Sequence, residues 1–229
     1  MTTLKYKKLI SLPEDFDYSS VIRINISHCK LRSLTELKLE RFYNLQELDC
    51  SYNKLRNLDG LSNCTSLQRL YCKRNKLENL NGLSNCTSLL SLDCSDNKLR
   101  NLDGLSNCIS LQRLNCGYNK ISNIDGLSNC TSLYELECYY NEISNIDGLS
   151  NCTSLQTFDC NNNQITNLDK LSNFTSLRML DCMNNQITMV LPVKILRNLD
   201  YFNYLENPFE KIMDDTIKKS IENPIDDII

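Results

Sequence analysis

Thirteen cysteines in 229 residues are the most concentrated reactive chemistry in this chain. Their spacing decides what that chemistry could be. Cys50, Cys72, Cys94, Cys116, Cys138, Cys160 and Cys182 recur every 22 residues, and so do Cys64, Cys86, Cys108, Cys130 and Cys152; only Cys29 stands outside both columns. A zinc site needs four ligands converging on one point, usually as two close pairs. The sequence has no Cys-x-x-Cys and a single histidine, His28. Cysteines placed by a repeat period are structural positions first, and buried cysteine behaves as a small hydrophobe. No metal and no cofactor are expected.

Other catalytic groups are equally sparse. His28 has no serine or cysteine partner identifiable by motif. The six glycines form no phosphate-cradling loop. Asp159 and Asp181 could be neighbours, but paired carboxylates on an open face are usually solvated. The pattern predicts a protein that is not an enzyme. Charge narrows the partner class: 25 Lys+Arg against 28 Asp+Glu leave a net of −3, which argues against a nucleic-acid binder. No apolar run approaches the ~18 residues of a membrane span, and no apolar segment follows the basic start, so neither a membrane partner nor a secretory signal is expected.

The element that must position all of these residues is the repeat itself. Units begin at Leu45, Leu67, Leu89, Leu111, Leu133, Leu155, Leu177 and Leu199, and a weaker one begins at Val21. Position 4 is Leu or Phe, and position 6 is Cys in seven of the eight, with Tyr204 in the last. Position 9 is Asn throughout: Asn53, Asn75, Asn97, Asn119, Asn141, Asn163, Asn185 and Asn207. One unit cannot bury its apolar side alone, whereas stacked units share a continuous core. Alternation along a short strand sends positions 4 and 6 inward and positions 3, 5 and 7 outward. The position-9 amide can both donate to and accept from backbone groups left unpaired where the chain leaves the strand. Nine strands at roughly 4.8 Å give a sheet about 40 Å long. That spacing also separates same-column cysteines beyond the ~3.8 Å Cβ distance of a disulfide, so free thiols in a reducing, cytoplasmic setting are expected. Sequons at Asn25, Asn63, Asn85, Asn129, Asn151 and Asn173 read as by-products of the motif.

The motif L-x-x-L-x-C-x-x-N-x-[LI]-x-x-[LI]-x-x-L resembles the leucine-rich repeat with Cys in place of one Leu. The 22-residue length and the segment Asn-[Leu/Ile]-Asp-Gly-Leu-Ser-Asn-Cys-Thr-Ser resemble the short class found in protein phosphatase-1 regulatory subunits and bacterial internalins. They are also similar to leucine-rich-repeat proteins of mimivirus-type giant DNA viruses. The resemblance implies an α/β, right-handed solenoid with a concave parallel β-sheet and turns or 3₁₀ pieces on the convex side. Residues 21–207 are expected to form the solenoid. Residues 1–20, with Leu12-Pro13 and Phe16, read as an N-terminal cap built on a degenerate half repeat. Residues 208–229 read as a C-terminal cap: Asn207-Pro208 opens a helix whose Phe209, Ile212, Met213, Ile217 and Ile221 share one face.

Individuality survives on the outward-facing columns. Tyr52, Arg69, Tyr71, Lys73, Arg74, Arg113, Tyr118, Glu135, Glu137, Tyr139 and Tyr140 lie in positions 3, 5, 7 and 8. Position 8 is read here as a continuation of the outward strand face. Tyrosine and arginine anchor protein interfaces because they combine rigid area with a polar handle. Arg69, Tyr71, Lys73, Arg74, Arg113 and Tyr118 are expected to form a basic-aromatic patch, followed by an acidic-aromatic one at Glu135, Glu137, Tyr139 and Tyr140. A monomeric protein-binding module is the favoured function. The alternatives are a self-associating structural component and an adaptor subunit for a catalytic partner. Lys54, Lys76, Lys98 and Lys120, with Arg56 and Arg100, make a basic lateral strip that reads as a solvated edge.

Overall fold

Each full unit carries a three-residue strand at positions 3–5, between the core-packed position-1 leucine and the core-packed position-6 residue where the chain leaves the sheet. The computed structural model describes residues 2–5, 15–189 and 193–208. Among them, ten strands run in chain order through one open sheet: β1 Thr2–Lys5, β2 Val21–Asn25, β3 Glu47–Asp49, β4 Arg69–Tyr71, β5 Ser91–Asp93, β6 Arg113–Asn115, β7 Glu135–Glu137, β8 Thr157–Asp159, β9 Met179–Asp181 and β10 Tyr201–Asn203. Every pairing is parallel, and from β3 to β10 the register advances by one repeat per strand, as in Leu48↔Leu70↔Leu92. The repeat accounts for nine of these strands, β2 to β10. The tenth, β1, escapes the motif because it contributes one core residue, Leu4, which pairs with Ile24 across a bulge-containing register.

The core is one continuous column of leucine, isoleucine and cysteine, nearly all at 0–2% exposure. Twelve of the thirteen thiols are buried in it and all thirteen are free. Burial pushes the position-20 thiols up to about 12 at Cys64, Cys86, Cys108 and Cys130 and to about 11 at Cys152. The fully buried position-6 thiols Cys72, Cys94 and Cys116 are also raised well above the ordinary thiol range, by burial first and neighbouring thiols second. The position-20 thiols also point at the position-17 carbonyl of the preceding unit, as Cys86 Sγ does toward Leu61 at 3.7 Å. A neutral S–H is the only form such a site accommodates.

Three asparagine columns satisfy the backbone that the bends leave open. In the position-9 column, Asn119 Nδ2 donates to Cys94, Cys116 and Gly117 carbonyls at 3.2, 3.0 and 3.2 Å, while its Oδ1 accepts from Leu99 N at 2.9 Å. The other seven make the corresponding set, Asn207 being the last rung. At position 13, Asn79, Asn101, Asn123 and Asn145 accept from the N–H two residues on and open a 3₁₀ turn such as Asp125–Leu127. At position 19, Asn85, Asn107, Asn129 and Asn151 donate to the position-18 carbonyl one unit back, at 3.0–3.1 Å. Three of those four are sequon asparagines, so these sequons carry inter-unit hydrogen bonds. At position 16, a Cβ on Gly126 would run into the Leu102 carbonyl, so the close approach of adjacent coils selects glycine there.

Phe16 and Tyr18 pack against the N-terminal end of the core, with Tyr18 edge-on to Phe42 at 5.1 Å. Leu12-Pro13 and the helix expected over Phe209 to Ile221 lie outside the described residues. Val193–Leu196 forms a single α-helical turn.

Candidate protein-binding face

The outward face is built from three backbone settings, and they do not leave the four columns equally free. Position 3 is a true strand position. Position 5 is also on the strand, but its side chain is largely committed: Asp49, Asp93, Asn115, Asp159 and Asp181 each accept from the N–H two residues on, at 3.0–3.2 Å. This closes the turn after the strand. The column departs from that rule at Tyr71 and Glu137, which cannot close the turn in this way. Neither was distinguishable from its neighbours until the role of the column was visible.

Position 8 lies beyond the strand, contrary to the expectation that it continues the outward face. Tyr52, Arg74, Asp96, Tyr118, Tyr140, Asn162, Asn184 and Glu206 all have φ between 51° and 58°. The left-handed region is tolerated by asparagine and disfavoured for bulky residues. It is held in place by ladder bonds: Tyr118 N donates to Tyr139 O and Tyr140 N to Asn161 O, both at 3.0 Å. Successive position-8 side chains therefore stack at close to the inter-strand spacing. Tyr118 and Tyr140 lie face to face at 4.6 Å and 9°, with Tyr139 edge-on to both. His28 stacks on Tyr52 at 4.3 Å, and Arg74 lies over the Tyr52 ring at 5.3 Å. Tyr118 is 53% exposed and Tyr140 47%.

The basic-aromatic patch is redistributed by this geometry. Arg69, Tyr71, Lys73 and Arg74 share one unit, but their charges are engaged: Arg69 with Glu47 at 3.8 Å, Lys73 with Asp93 at 3.7 Å and Arg74 with Asp96 at 3.1 Å. Arg113 stands two units away. Tyr118 joins Tyr139 and Tyr140 because stacking follows the position-8 column. The acidic residues keep their charges uncompensated. Glu135, Glu137, Asp159 and Asp181 form no ion pair among the described residues, and Glu137↔Asp159↔Asp181 are in direct register. Burial, above all, pushes Asp159 up to about 6; Asp181 adds to it, and the Asn161 hydrogen bonds pull against it. Glu137 is likewise raised by burial, then by Glu135, Asp159 and Asp93, and it accepts from Asn115 Nδ2 at 2.5 Å.

Ser27, His28, Asp49, Ser51, Tyr52, Tyr71 and Lys73 line an open concavity of about 270 Å³ at the N-terminal end of this face. Ser27 Oγ donates to Asn25 Oδ1 at 2.8 Å, so the hydroxyl next to His28 is turned to a structural bond. Among the described residues no three metal-ligating side chains converge. What the face can do chemically is present flat aromatic rings beside carboxylates.

The family model described as leucine rich repeats (2 copies) matches residues 43–85, 87–129, 109–151, 131–173 and 153–194, well over half of the sequence. The chain belongs to the leucine-rich-repeat family. Solved leucine-rich-repeat structures agree. An internalin, InlF, from Listeria monocytogenes is 28% identical with a TM-score of 0.73 over 80% of this chain and 54% of its own. The Leptospira interrogans protein LIC12759 is 26% identical, TM-score 0.76, over 82% and 50%. The functional domain of InlJ from Listeria monocytogenes, which includes a cysteine ladder, is 34% identical, TM-score 0.70, over 81% and 38%. The chain thus spans about half the length, or less, of these three proteins. No curated protein matches it. The leucine-rich-repeat fold is commonly a protein-interaction module, and its members are generally non-enzymatic binding proteins. Among the described residues no helix is long and apolar enough to cross a membrane, and some structural neighbours are secreted or extracellular proteins.

Proposed function

We propose that this leucine-rich-repeat solenoid is a non-enzymatic module that binds a partner protein through its concave sheet face, as a monomer in a reducing compartment such as the cytoplasm. Residues 21–207 are the binding body and the flanking segments its caps. The reading rests on one observation: Tyr118 and Tyr140 are exposed, stacked tyrosines held in a left-handed backbone setting. The same setting is occupied by asparagine at Asn162 and Asn184, a residue that adopts it at lower cost. The rings belong to no part of the buried core and pack only on one another and on Tyr139. Tyr139 packs edge-on against them, Glu135 and Glu137 lie on the same unit as Tyr140, and Arg113 lies on the same unit as Tyr118. Tyr52, Tyr71 and the ion-paired Arg69, Lys73 and Arg74 form the flank of the same face. Thirteen unpaired thiols support the reducing setting.

The test is affinity capture from the native cell with quantitative mass spectrometry, comparing wild type with a Tyr118→Asn/Tyr140→Asn double variant. The expected result is loss of at least nine-tenths of a specific prey with an unchanged melting curve. A Tyr43→Asn variant, altering an exposed tyrosine outside these columns, retains capture. Equal capture by the double variant, or equal loss in the Tyr43 control, would overturn the assignment. A light-scattering mass of twice the chain at low micromolar concentration would favour the self-associating alternative.

A further inference from the structure

The flank where the chain leaves the sheet carries a second feature, independent of the concave-face reading. Positions 10–12 of each unit are extended, and they form a ladder of their own. Lys54 N donates to Leu31 O at 2.7 Å, Lys76 N to Leu55 O at 2.8 Å and Glu78 N to Arg56 O at 3.1 Å. Position 11 is buried, as at Leu55 and Leu77, so alternation turns positions 10 and 12 outward. Arg32 and Arg56 occupy position 12 of successive units, and Lys54 and Lys76 occupy position 10 of successive units. These four side chains line a concavity of about 250 Å³.

The ion pairs of the described residues engage Arg23, Arg69, Lys73, Arg74 and Lys170, and none of these four. Four positive charges therefore surround one hollow without a carboxylate partner, on a backbone ladder that fixes their spacing. The position-12 column is interrupted by Glu78 before Arg100, so Arg32 and Arg56 are its one adjacent cationic pair. What sets the quartet apart is convergence: these four cations line one hollow, whereas Arg69, Lys73 and Arg74 on the sheet face each lie against an acid of a neighbouring unit. Such a site concentrates counter-ions, and two guanidinium forks match phosphoryl oxygens in geometry as well as charge. The hollow has room for about eight waters at ~30 Å³ each, more than one tetrahedral oxyanion fills.

We infer that Arg32, Lys54, Arg56 and Lys76 form a binding site for a small polyphosphorylated anion, a molecule carrying two or more phosphoryl groups. Arg32 and Arg56 grip phosphoryl oxygens from one side, and the two lysines complete the charge from the other. Binding here leaves the concave face open, so the two surfaces can be occupied together.

Calorimetric titration of the full chain with sodium tripolyphosphate, at about 150 mM salt where the screening length is about 8 Å, tests this directly. The expected result is saturable one-to-one binding that weakens at least tenfold in an Arg32→Gln/Lys76→Gln variant. A Lys98→Gln/Lys120→Gln variant removes the same charge from position 10 of later units and shifts affinity less than twofold. All four residues are exposed, and an unchanged thermal melt confirms that each variant folds. Absence of saturable binding would overturn the inference. So would equal weakening in both double variants, which marks a diffuse basic edge. Competition by duplex DNA that tightens with duplex length would replace the pocket with a nucleic-acid track.

Discussion

Replacing Asn163 by alanine isolates what one rung of the asparagine ladder contributes. Asn163 is 9% exposed. Its Nδ2 donates to Cys138 O, Cys160 O and Asn161 O at 3.0, 3.0 and 3.2 Å, and its Oδ1 accepts from Ile143 N at 3.0 Å. The three carbonyls keep other donors: Cys138 O retains Asn141 Nδ2, Cys160 O retains Asn185 Nδ2 and Asn161 O retains Tyr140 N. The Ile143 N–H keeps nothing. The cost is therefore dominated by one orphaned buried donor, about 1–3 kcal/mol, plus a smaller loss from the shared carbonyls, about 3 kcal/mol in all. For a chain of this size that is a fall of roughly 6–12 °C in melting temperature. Asn163→Asp restores the acceptor but sets a carboxylate against three carbonyls, so it destabilises more than alanine. Asn151→Ala, which removes one exposed bond to Ser128 O, costs under about 1 kcal/mol. Urea unfolding followed by far-ultraviolet circular dichroism measures all three, with a constant m-value as the check on a single transition. An Asn163→Ala loss no larger than that of Asn151→Ala would refute the accounting.

Three further outcomes follow from named atoms. The raised pKa of Asp159 means the folded chain binds more protons than the unfolded one between about pH 4 and 6, so this group's contribution to stability declines as pH rises through that window; Asp159→Asn, the residue already used at position 5 by Asn115, raises the melting temperature at pH 7.5 and flattens its pH dependence, and an unchanged profile would contradict this. Native thiol labelling at pH 8 reacts quickly with Cys29 alone, the remaining twelve appearing only after unfolding in urea, because burial keeps them protonated and out of reach; rapid labelling of Cys94 or Cys116 detected by peptide mapping would show that the core is open. Gly126→Ala drives its new Cβ into the Leu102 carbonyl of the neighbouring coil and lowers stability by about 1–3 kcal/mol in the same urea assay, whereas a neutral result would mean the coils can separate freely.

The period was legible before any coordinate. Eight copies of Leu, Leu or Phe, and Asn at positions 1, 4 and 9 require coils that stack, since each copy is too small to bury its own apolar side. The cysteine columns were legible as core for the same reason. Strand β1 was not, because a single buried Leu4 carries no periodic signal. The candidate face was half legible: the sequence identified which columns vary, but variation alone does not separate a committed side chain from a free one.

What the amino-acid sequence determined by itself is everything that depends on recurrence: the stacked coil, the buried thiols and the asparagine rungs. Tertiary structure decided what depends on pairings across coils. Coil-on-coil packing set Arg69, Lys73 and Arg74 against Glu47, Asp93 and Asp96, each one coil away, while leaving Glu135, Glu137 and the quartet Arg32, Lys54, Arg56 and Lys76 out of the ion pairs of the described residues. It also turned position 8 into the left-handed setting that stacks Tyr118 on Tyr140. The physical reason is that a repeat fixes each residue's place within its own coil, whereas charge compensation and ring stacking act between neighbouring coils at about 4.8 Å, a distance set only when the sheet forms.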